Sequence, residues 1–186
     1  DIFLDVGANV GYFTLFASKI VGDSGRVIAV EPSRRAILKL LRNLNLNHAS
    51  NVALLSTAAG DSVSTERLFL AYSKNIGGSS IRSREPGTSW EDILCMPLGP
   101  LIKGSGLIPS MVKMDIEGFE LFALKGLIPF LSPLPTVVLE LSPSLLRKSG
   151  SSASEVLQFM ISAGYTCELL SQTENGIART TLPAEA

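Results

Sequence analysis

The residues best suited to chemistry follow a short apolar run at the beginning of the sequence. Residues 5–11 read DVGANVG, so that an acid at the end of the apolar run 2–6 precedes two glycines. A buried strand that passes into a helix through such a turn can point its backbone N–H groups outward at a charged ligand. We therefore predict a cofactor-binding turn. Its candidate contacts are Asp5, Gly7, Ala8, Asn9 and Gly11.

One missing glycine and one carboxylate narrow the choice of ligand. In the dinucleotide fingerprint G-x-G-x-x-G, the middle glycine lets the backbone approach a pyrophosphate, and here that position is Asn9. Asp5 at the end of the strand would repel a pyrophosphate. It can, however, organise the glycine turn and bind, through water, a ligand that carries an ammonium and a sulfonium group. The sequence therefore favours S-adenosylmethionine as the cofactor.

Two further acids follow the next predicted strands. Glu31 ends the apolar run 26–31, about 20 residues beyond the glycine turn, where a carboxylate accepts hydrogen bonds from ribose hydroxyls. Asp61 follows the third predicted strand. Because loops after parallel strands lie on one edge of the sheet, Asp61 could meet the exocyclic amine of an adenine. A turn carboxylate in solvent explains Asp61 equally well.

Three carboxylates are candidates for the base that a hydroxyl acceptor would need. Asp115 and Glu117 follow the fourth predicted strand, and Glu140 follows the fifth, at the same edge of the sheet. Acids spread over two strand ends are a weak signal for magnesium, so no metal is predicted. Helix capping explains Glu120, and His48, at the opposite edge of the sheet, is predicted to be structural.

The elements that must position these side chains alternate along the chain. Strand patterns at 2–6, 26–31, 52–56, 111–115 and 136–141 are separated by segments of helical periodicity. This alternation predicts an α/β fold with a mostly parallel central sheet, helices on both faces and an antiparallel terminal strand. The apolar residues predicted to form the buried faces of the first two helices are Phe13, Leu15, Phe16, Ile20, Val21, Ile37, Leu38, Leu41, Leu44 and Leu46.

Length and composition describe one domain, 1–186, with a hydrophobic fraction of 46% and a formal charge of -1. The near-neutral charge predicts no nucleic acid partner. No apolar run approaches the roughly 18 residues of a membrane span, and a cytoplasmic location with both cysteines reduced is favoured.

Residues 73–106, rich in Gly, Ser and Pro, predict a long variable loop or insertion. Because Asp1 falls at the start of the first strand, an N-terminal element is expected to be missing.

Three segments together resemble one protein family. Residues 5–14 (DVGANVGYFT), the pair Glu31-Pro32 and residues 113–120 (KMDIEGFE) are similar, in order and spacing, to the FkbM family of S-adenosylmethionine-dependent methyltransferases. The resemblance implies a Rossmann-like class I methyltransferase fold. It also implies, commonly, O-methylation of a hydroxyl on a sugar, a glycan or a small natural-product-like acceptor.

The resemblance also implies roles for individual residues. The implied contacts of the methionine part are Asp5, Gly7, Asn9 and Gly11. Glu31 would hold the ribose, and Asp115 and Glu117 would border the reaction centre. The chain departs from the family at 97–100 (PLGP), where members have a Thr-Leu-Asp-like segment. Two other classes stay open: a methyltransferase-like domain that does not catalyse, and a nicotinamide-dependent oxidoreductase, which Asn9 disfavours.

Overall fold

The computed structural model describes residues 1–70, 81, 89–174 and 176–182. Its elements, in chain order, are β1 (Ile2–Val6), α1 (Tyr12–Val21), β2 (Arg26–Val30), α2 (Arg34–Leu46), β3 (Val52–Leu55), β4 (Ala58–Ala59), β5 (Ser64–Phe69), β6 (Trp90–Met96), α3 (Leu98–Ser105), β7 (Met111–Met114), α4 (Glu120–Leu127), a 3-10 turn (Ile128–Phe130), β8 (Thr136–Leu139), α5 (Pro143–Lys148), α6 (Ala153–Ser162), β9 (Glu168–Thr173) and β10 (Gly176–Thr181).

The central sheet has five parallel strands in the order β3-β2-β1-β7-β8. The strands are apolar because helices cover them, and Leu4, Val27 and Val112 are fully buried. The chain runs outward from β1 through β2 to β3 and then returns to place β7 on the other side of β1. In open parallel sheets, ligands bind at this reversal of strand order, outside the carboxyl ends of the strands. The predicted α/β fold class is confirmed.

Two smaller sheets accompany the central one. Strands β9 and β10 form a separate antiparallel pair that is exposed along its whole length, so the predicted terminal strands exist but stand apart from the central sheet. Strands β4, β6 and β5 form a three-stranded sheet, in which β5 and β6 are antiparallel. This sheet packs around Phe119, at the edge where the acidic residues were predicted to gather.

The predicted loop over 73–106 is wrong in its last part, because β6 and α3 occupy most of 90–105. Strand β6 alternates, with Ile93 and Cys95 buried, and its partner β5 is more than twenty residues away in sequence. Helix α3 contains Gly99, where a Cβ would overlap the ring of Phe130. Glycine therefore marks close packing here rather than a loop. Residues 71–80 and 82–88 lie outside the described residues.

The buried faces of α1 and α2 also differ from the prediction. Helix α1 buries Thr14, Ala17 and Ser18, and α2 buries Ala36, Leu40 and Leu44. The Thr14 hydroxyl donates to Asp5 at 2.6 Å, and the Ser18 hydroxyl donates to Asn51. Small and hydroxyl-bearing side chains, rather than the aromatic ones, therefore form the buried face of α1. Residues predicted to be buried that are instead exposed are Phe13, Phe16, Ile20, Leu38, Leu41 and Leu46.

Candidate active site

A cavity of about 340 Å³ opens at the carboxyl ends of β1, β2 and β7. The predicted site residues that line it are Gly7, Ala8, Asn9, Glu31, Asp115 and Glu117. Lining residues for which the sequence predicted no site role are Tyr12, Phe13, Thr57, Lys113 and Phe119. The cavity therefore brings both sequence motifs together at the reversal of strand order.

Four backbone N–H groups of the glycine turn are already occupied by hydrogen bonds within the protein. The N–H groups of Gly7 and Ala8 both donate to the carbonyl oxygen of Val30 at 3.0 Å, and the Gly11 N–H donates to the Ala8 carbonyl oxygen at 2.8 Å. The Asn9 N–H donates to Glu31 Oε2 at 2.8 Å. The expectation that these donors point outward is therefore wrong. A pyrophosphate would have to displace existing hydrogen bonds.

Gly7 is the closest contact between the two motifs. Its φ is +80°, and a Cβ there would overlap the backbone carbonyl oxygen of Asp115. The turn after β1 consequently packs directly against the turn after β7. Only glycine combines this backbone conformation with this approach.

Replacing Gly7 by alanine is expected to lower the affinity for S-adenosylhomocysteine at least tenfold. The added methyl group must push apart two backbone segments, and a left-handed residue other than glycine costs a further ~1 kcal/mol. Gly106→Ala is the matched control, because Gly106 has φ +71° with nothing near its Cβ position. Calorimetric titration of both variants checks this. Equal affinity for Gly7→Ala and Gly106→Ala would contradict it.

Glu31 directly follows β2 and lines the cavity. Its exposed fraction is 7%, and Oε1 accepts the Ser33 N–H at 2.9 Å while Oε2 accepts the Asn9 N–H. Burial raises the pKa of Glu31 above its ordinary value, and the two amide donors oppose that rise. Each oxygen keeps a lone pair for a further donor, so Glu31 can hold the glycine turn and a ligand hydroxyl together.

Asp5 lies beneath the turn rather than in the cavity wall, and it is completely buried. Its Oδ2 accepts the Thr14 hydroxyl, and Lys113 Nζ lies 3.4 Å from Oδ1. Lys113 Nζ also donates to the Gly7 carbonyl oxygen at 3.0 Å and lies 4.0 Å from Asp115 Oδ2. Lys113 therefore ties β1 to β7. The sequence signal that could have revealed this role of Lys113 is a lysine inside an otherwise apolar strand.

The turn after β7 places Glu117 in an unusual environment. Glu117 has φ +56°, and Glu120 Oε1 supports the turn by accepting the N–H groups of Ile116 and Gly118 at 3.2 and 3.1 Å. Burial, followed by the negative charges of Asp115, Glu140 and Glu120, raises the pKa of Glu117 to about 7. A carboxylate with this pKa can exchange a proton near neutral pH.

Besides Asp5, three predicted site residues do not line the cavity. Gly11 is buried under α2, where a Cβ would overlap Leu40. Asp61 is exposed, and its Oδ1 accepts the Ser62 hydroxyl at 3.3 Å. Glu140 is exposed at the end of β8 and acts on the cavity through its charge on Glu117.

Within the residues that the structure describes there is no candidate metal site and no membrane-spanning helix. Among them, no three His, Cys, Asp or Glu side chains are arranged to hold a metal ion. His48 lines a separate small pocket with Asn51, near the C-terminal end of α1. None of the helices over the described ranges is long and apolar enough to cross a membrane.

The doubly wound sheet, its glycine turn and the acidic cavity at the strand reversal define a Rossmann-like fold of the class I methyltransferase type. Residues 5–167 match the family described as the methyltransferase FkbM domain, and the chain belongs to that family. The family resemblance found in the sequence is thus confirmed. The cofactor predicted from the sequence, S-adenosylmethionine, is confirmed at the level of the family.

Individual relatives agree with this family. A probable cobalt-precorrin-6B C(15)-methyltransferase (decarboxylating) of Saccharolobus solfataricus is 34% identical over 100 residues, which cover 50% of this chain and 47% of that protein. The crystal structure of methyltransferase FkbM from Methylobacillus flagellatus has a TM-score of 0.65 at 20% identity, over 98% of this chain and 43% of that one. The chain therefore spans less than half the length of both.

A putative methyltransferase from Streptococcus mutans, solved in complex with S-adenosylhomocysteine, has the same fold. Its TM-score is 0.54 at 13% identity, over 97% of this chain and 84% of that chain. At this level of identity the similarity shows the fold.

Proposed function

We propose that this chain is an S-adenosylmethionine-dependent methyltransferase that methylates a hydroxyl oxygen of a sugar or small natural-product-like acceptor. The observation that carries the proposal is the composition of the cavity wall. Three carboxylates, those of Glu31, Asp115 and Glu117, face a cavity whose glycine turn has no spare anion donors at Gly7, Ala8 and Asn9. Such a wall suits a ligand with positive charge and hydroxyl groups, and disfavours a pyrophosphate and therefore NAD.

The residues present fit the cofactor. Asn9 Oδ1 is buried and has no hydrogen-bond partner within the described residues, so it can accept a donor from a ligand at the glycine turn. Glu31 would hold the ribose hydroxyls. The residues at 57–59, rather than the exposed Asp61, would border the adenine, since they line the cavity beyond β3.

The chemistry assigned to the chain's own residues is alignment and proton transfer. The cofactor supplies an electrophilic methyl group. Transfer of that methyl group to the acceptor would release the proton of the acceptor hydroxyl, and Glu117 is the base placed to take it. A base works best when its pKa is near the operating pH, and the pKa of Glu117 is about 7. Asp115 would hold the acceptor in line with the methyl group, and Lys113 would hold the glycine turn in place.

The cavity's charge also bears on the acceptor class. The chain carries a formal charge of -1, and the carboxylates around the cavity would repel a polyanion. A neutral molecule with several hydroxyl groups can instead donate hydrogen bonds to the same carboxylates. We therefore propose a hydroxyl-rich small molecule or glycan, rather than a nucleic acid, as the partner.

Calorimetric titration with S-adenosylhomocysteine tests the cofactor part of the proposal. We expect micromolar binding by the wild-type chain, no binding of NAD, and a loss of about tenfold to 100-fold for Glu31→Ala, because a hydrogen bond to a charged group contributes about 1.5–3 kcal/mol. Glu140→Gln is the control, since Glu140 does not line the cavity. Binding of NAD instead would overturn the proposal, and binding without methyl transfer would indicate a domain that does not catalyse.

A further inference from the structure

Two aromatic rings stand at the rim of the cavity on the first turn of α1. Tyr12 and Phe13 both line the cavity, yet their exposed fractions are 76% and 47%. The rings meet edge to face, with centroids 5.2 Å apart and an interplanar angle of 89°. Helix α1 packs on the sheet through its small residues, so these rings are not needed for the hydrophobic core.

The position of Phe13 is held by a charged neighbour. Lys113 Nζ lies 5.2 Å from the centre of the Phe13 ring, within the range of a cation–π contact. The same nitrogen donates to the Gly7 carbonyl oxygen and pairs with Asp5 and Asp115. The Phe13 ring therefore lies against a residue of β7, and Tyr12 lies against Phe13.

The charged neighbour of Phe13 and the proposed ribose contact belong to strands on opposite sides of β1. Glu31 follows β2 on one side, whereas Lys113, which contacts Phe13, belongs to β7 on the other. Through Lys113, the Phe13 ring is connected to β7, the strand that Asp115 and Glu117 follow. All four residues line the same cavity, so a ligand that fills it can contact both rings and the carboxylates of Asp115 and Glu117.

We propose that Tyr12 and Phe13 form the acceptor platform of this enzyme, on which the C–H face of a sugar ring stacks while its hydroxyl groups reach Asp115 and Glu117. A sugar ring has an apolar face and a polar rim, and this part of the cavity offers both matching surfaces. Tyr12 is the specificity-determining member, because its ring is the more exposed of the two. This inference rests on the proposed function, from which it takes the acceptor class.

Saturation-transfer NMR on the chain saturated with S-adenosylhomocysteine tests the platform. The probes are methyl α-D-glucopyranoside and methyl β-D-galactopyranoside. We expect the wild type to transfer saturation to ring C–H protons of at least one probe, with about tenfold weaker binding by Tyr12→Ala and near wild-type binding by Tyr12→Phe, which keeps the ring. Phe16→Ala is the matched control, because Phe16 is 62% exposed on the same helix and does not line the cavity.

Parallel calorimetry separates this inference from the proposed function. S-adenosylhomocysteine should bind Tyr12→Ala within twofold of the wild type. If Tyr12→Ala lowers the affinity for S-adenosylmethionine much more than the affinity for S-adenosylhomocysteine, the ring contacts the sulfonium. That result overturns the platform. A wild type that binds S-adenosylhomocysteine but neither glycoside also overturns the platform while leaving the cofactor proposal intact. A wild type that binds no S-adenosylhomocysteine overturns the proposed function, and this inference with it.

Discussion

Replacing Glu117 by glutamine is expected to lower kcat for methyl transfer by about 10²–10⁴-fold, the usual contribution of a positioned base. Glutamine keeps the size of the side chain and can still hydrogen-bond, but it cannot take the proton of the acceptor hydroxyl. Affinity for S-adenosylhomocysteine should change little, because Glu31 and the glycine turn remain intact. Release of S-adenosylhomocysteine during turnover, measured with an acceptor that the wild type methylates, checks the rate.

The pH dependence distinguishes a base from a residue that only shapes the cavity. Because the pKa of Glu117 is about 7, wild-type activity should rise with pH through neutrality and level off above it. Glu140→Gln removes a negative charge that raises this pKa, so it should move the rise to lower pH without a large loss of kcat. A profile that is flat from pH 5 to 9, or a Glu117→Gln variant with wild-type kcat, would exclude Glu117 as the base.

The same pKa shift predicts the effect of Glu117→Gln on stability. A carboxyl with a pKa of about 7 in the folded chain and an ordinary pKa when unfolded binds more protons in the folded state between those values. Stability therefore falls as pH rises through this window. We expect Glu117→Gln to raise Tm at pH 8, where the folded wild type carries the charge near Asp115, and to leave Tm unchanged at pH 4.

Replacing Asp5 by alanine is expected to cost about 3–5 kcal/mol in the free energy of unfolding, as for other buried ion pairs that lose one partner. Asp5 is fully buried and accepts the Thr14 hydroxyl at 2.6 Å. Its loss leaves that hydroxyl without its acceptor and leaves Lys113, whose side chain is 12% exposed, without its nearest anion. Urea unfolding monitored by circular dichroism measures the change.

A second ion pair supplies the control for Asp5. Asp92 lies 3.9 Å from Arg67, but the two side chains are 67% and 66% exposed. Exposed pairs contribute little, so Asp92→Ala should cost less than about 1 kcal/mol. Asp5→Asn keeps the side-chain volume and one possible acceptor. Its loss in the free energy of unfolding should therefore lie between those of Asp5→Ala and Asp92→Ala. If Asp5→Ala unfolds at the same urea concentration as Asp92→Ala, the organising role of Asp5 is wrong.

Local patterns were enough to predict the elements that carry the site. The strand before Asp5, the helix after Gly11 and the strand that ends at Glu31 all follow from apolar runs, glycines and helical periodicity within a short window. The order of strands and helices then placed Asp115 and Glu117 at the same edge of the sheet. The cofactor class followed from Asn9, which stands where a dinucleotide-binding turn has glycine.

Contacts between distant segments decided the rest. The N–H groups of Gly7 and Ala8 are occupied because the Val30 carbonyl oxygen meets them from β2, and no pattern within residues 5–11 contains that information. Strand β6 was missed because its partner lies far back in the chain. The apolar positions of α1 predicted a buried aromatic face, yet the buried face holds Thr14, Ala17 and Ser18, and two of these hydrogen-bond Asp5 and Asn51.

The sequence by itself thus determined the class of fold, the acidic residues at the strand ends and the family, because these depend on residue types at short spacing. Only the tertiary structure decided which of those acids line the cavity, that Lys113 links Asp5 to Asp115, and that Glu117 has a pKa near 7. Those properties depend on burial and on charges brought together from different strands, and neither quantity exists until the chain has folded.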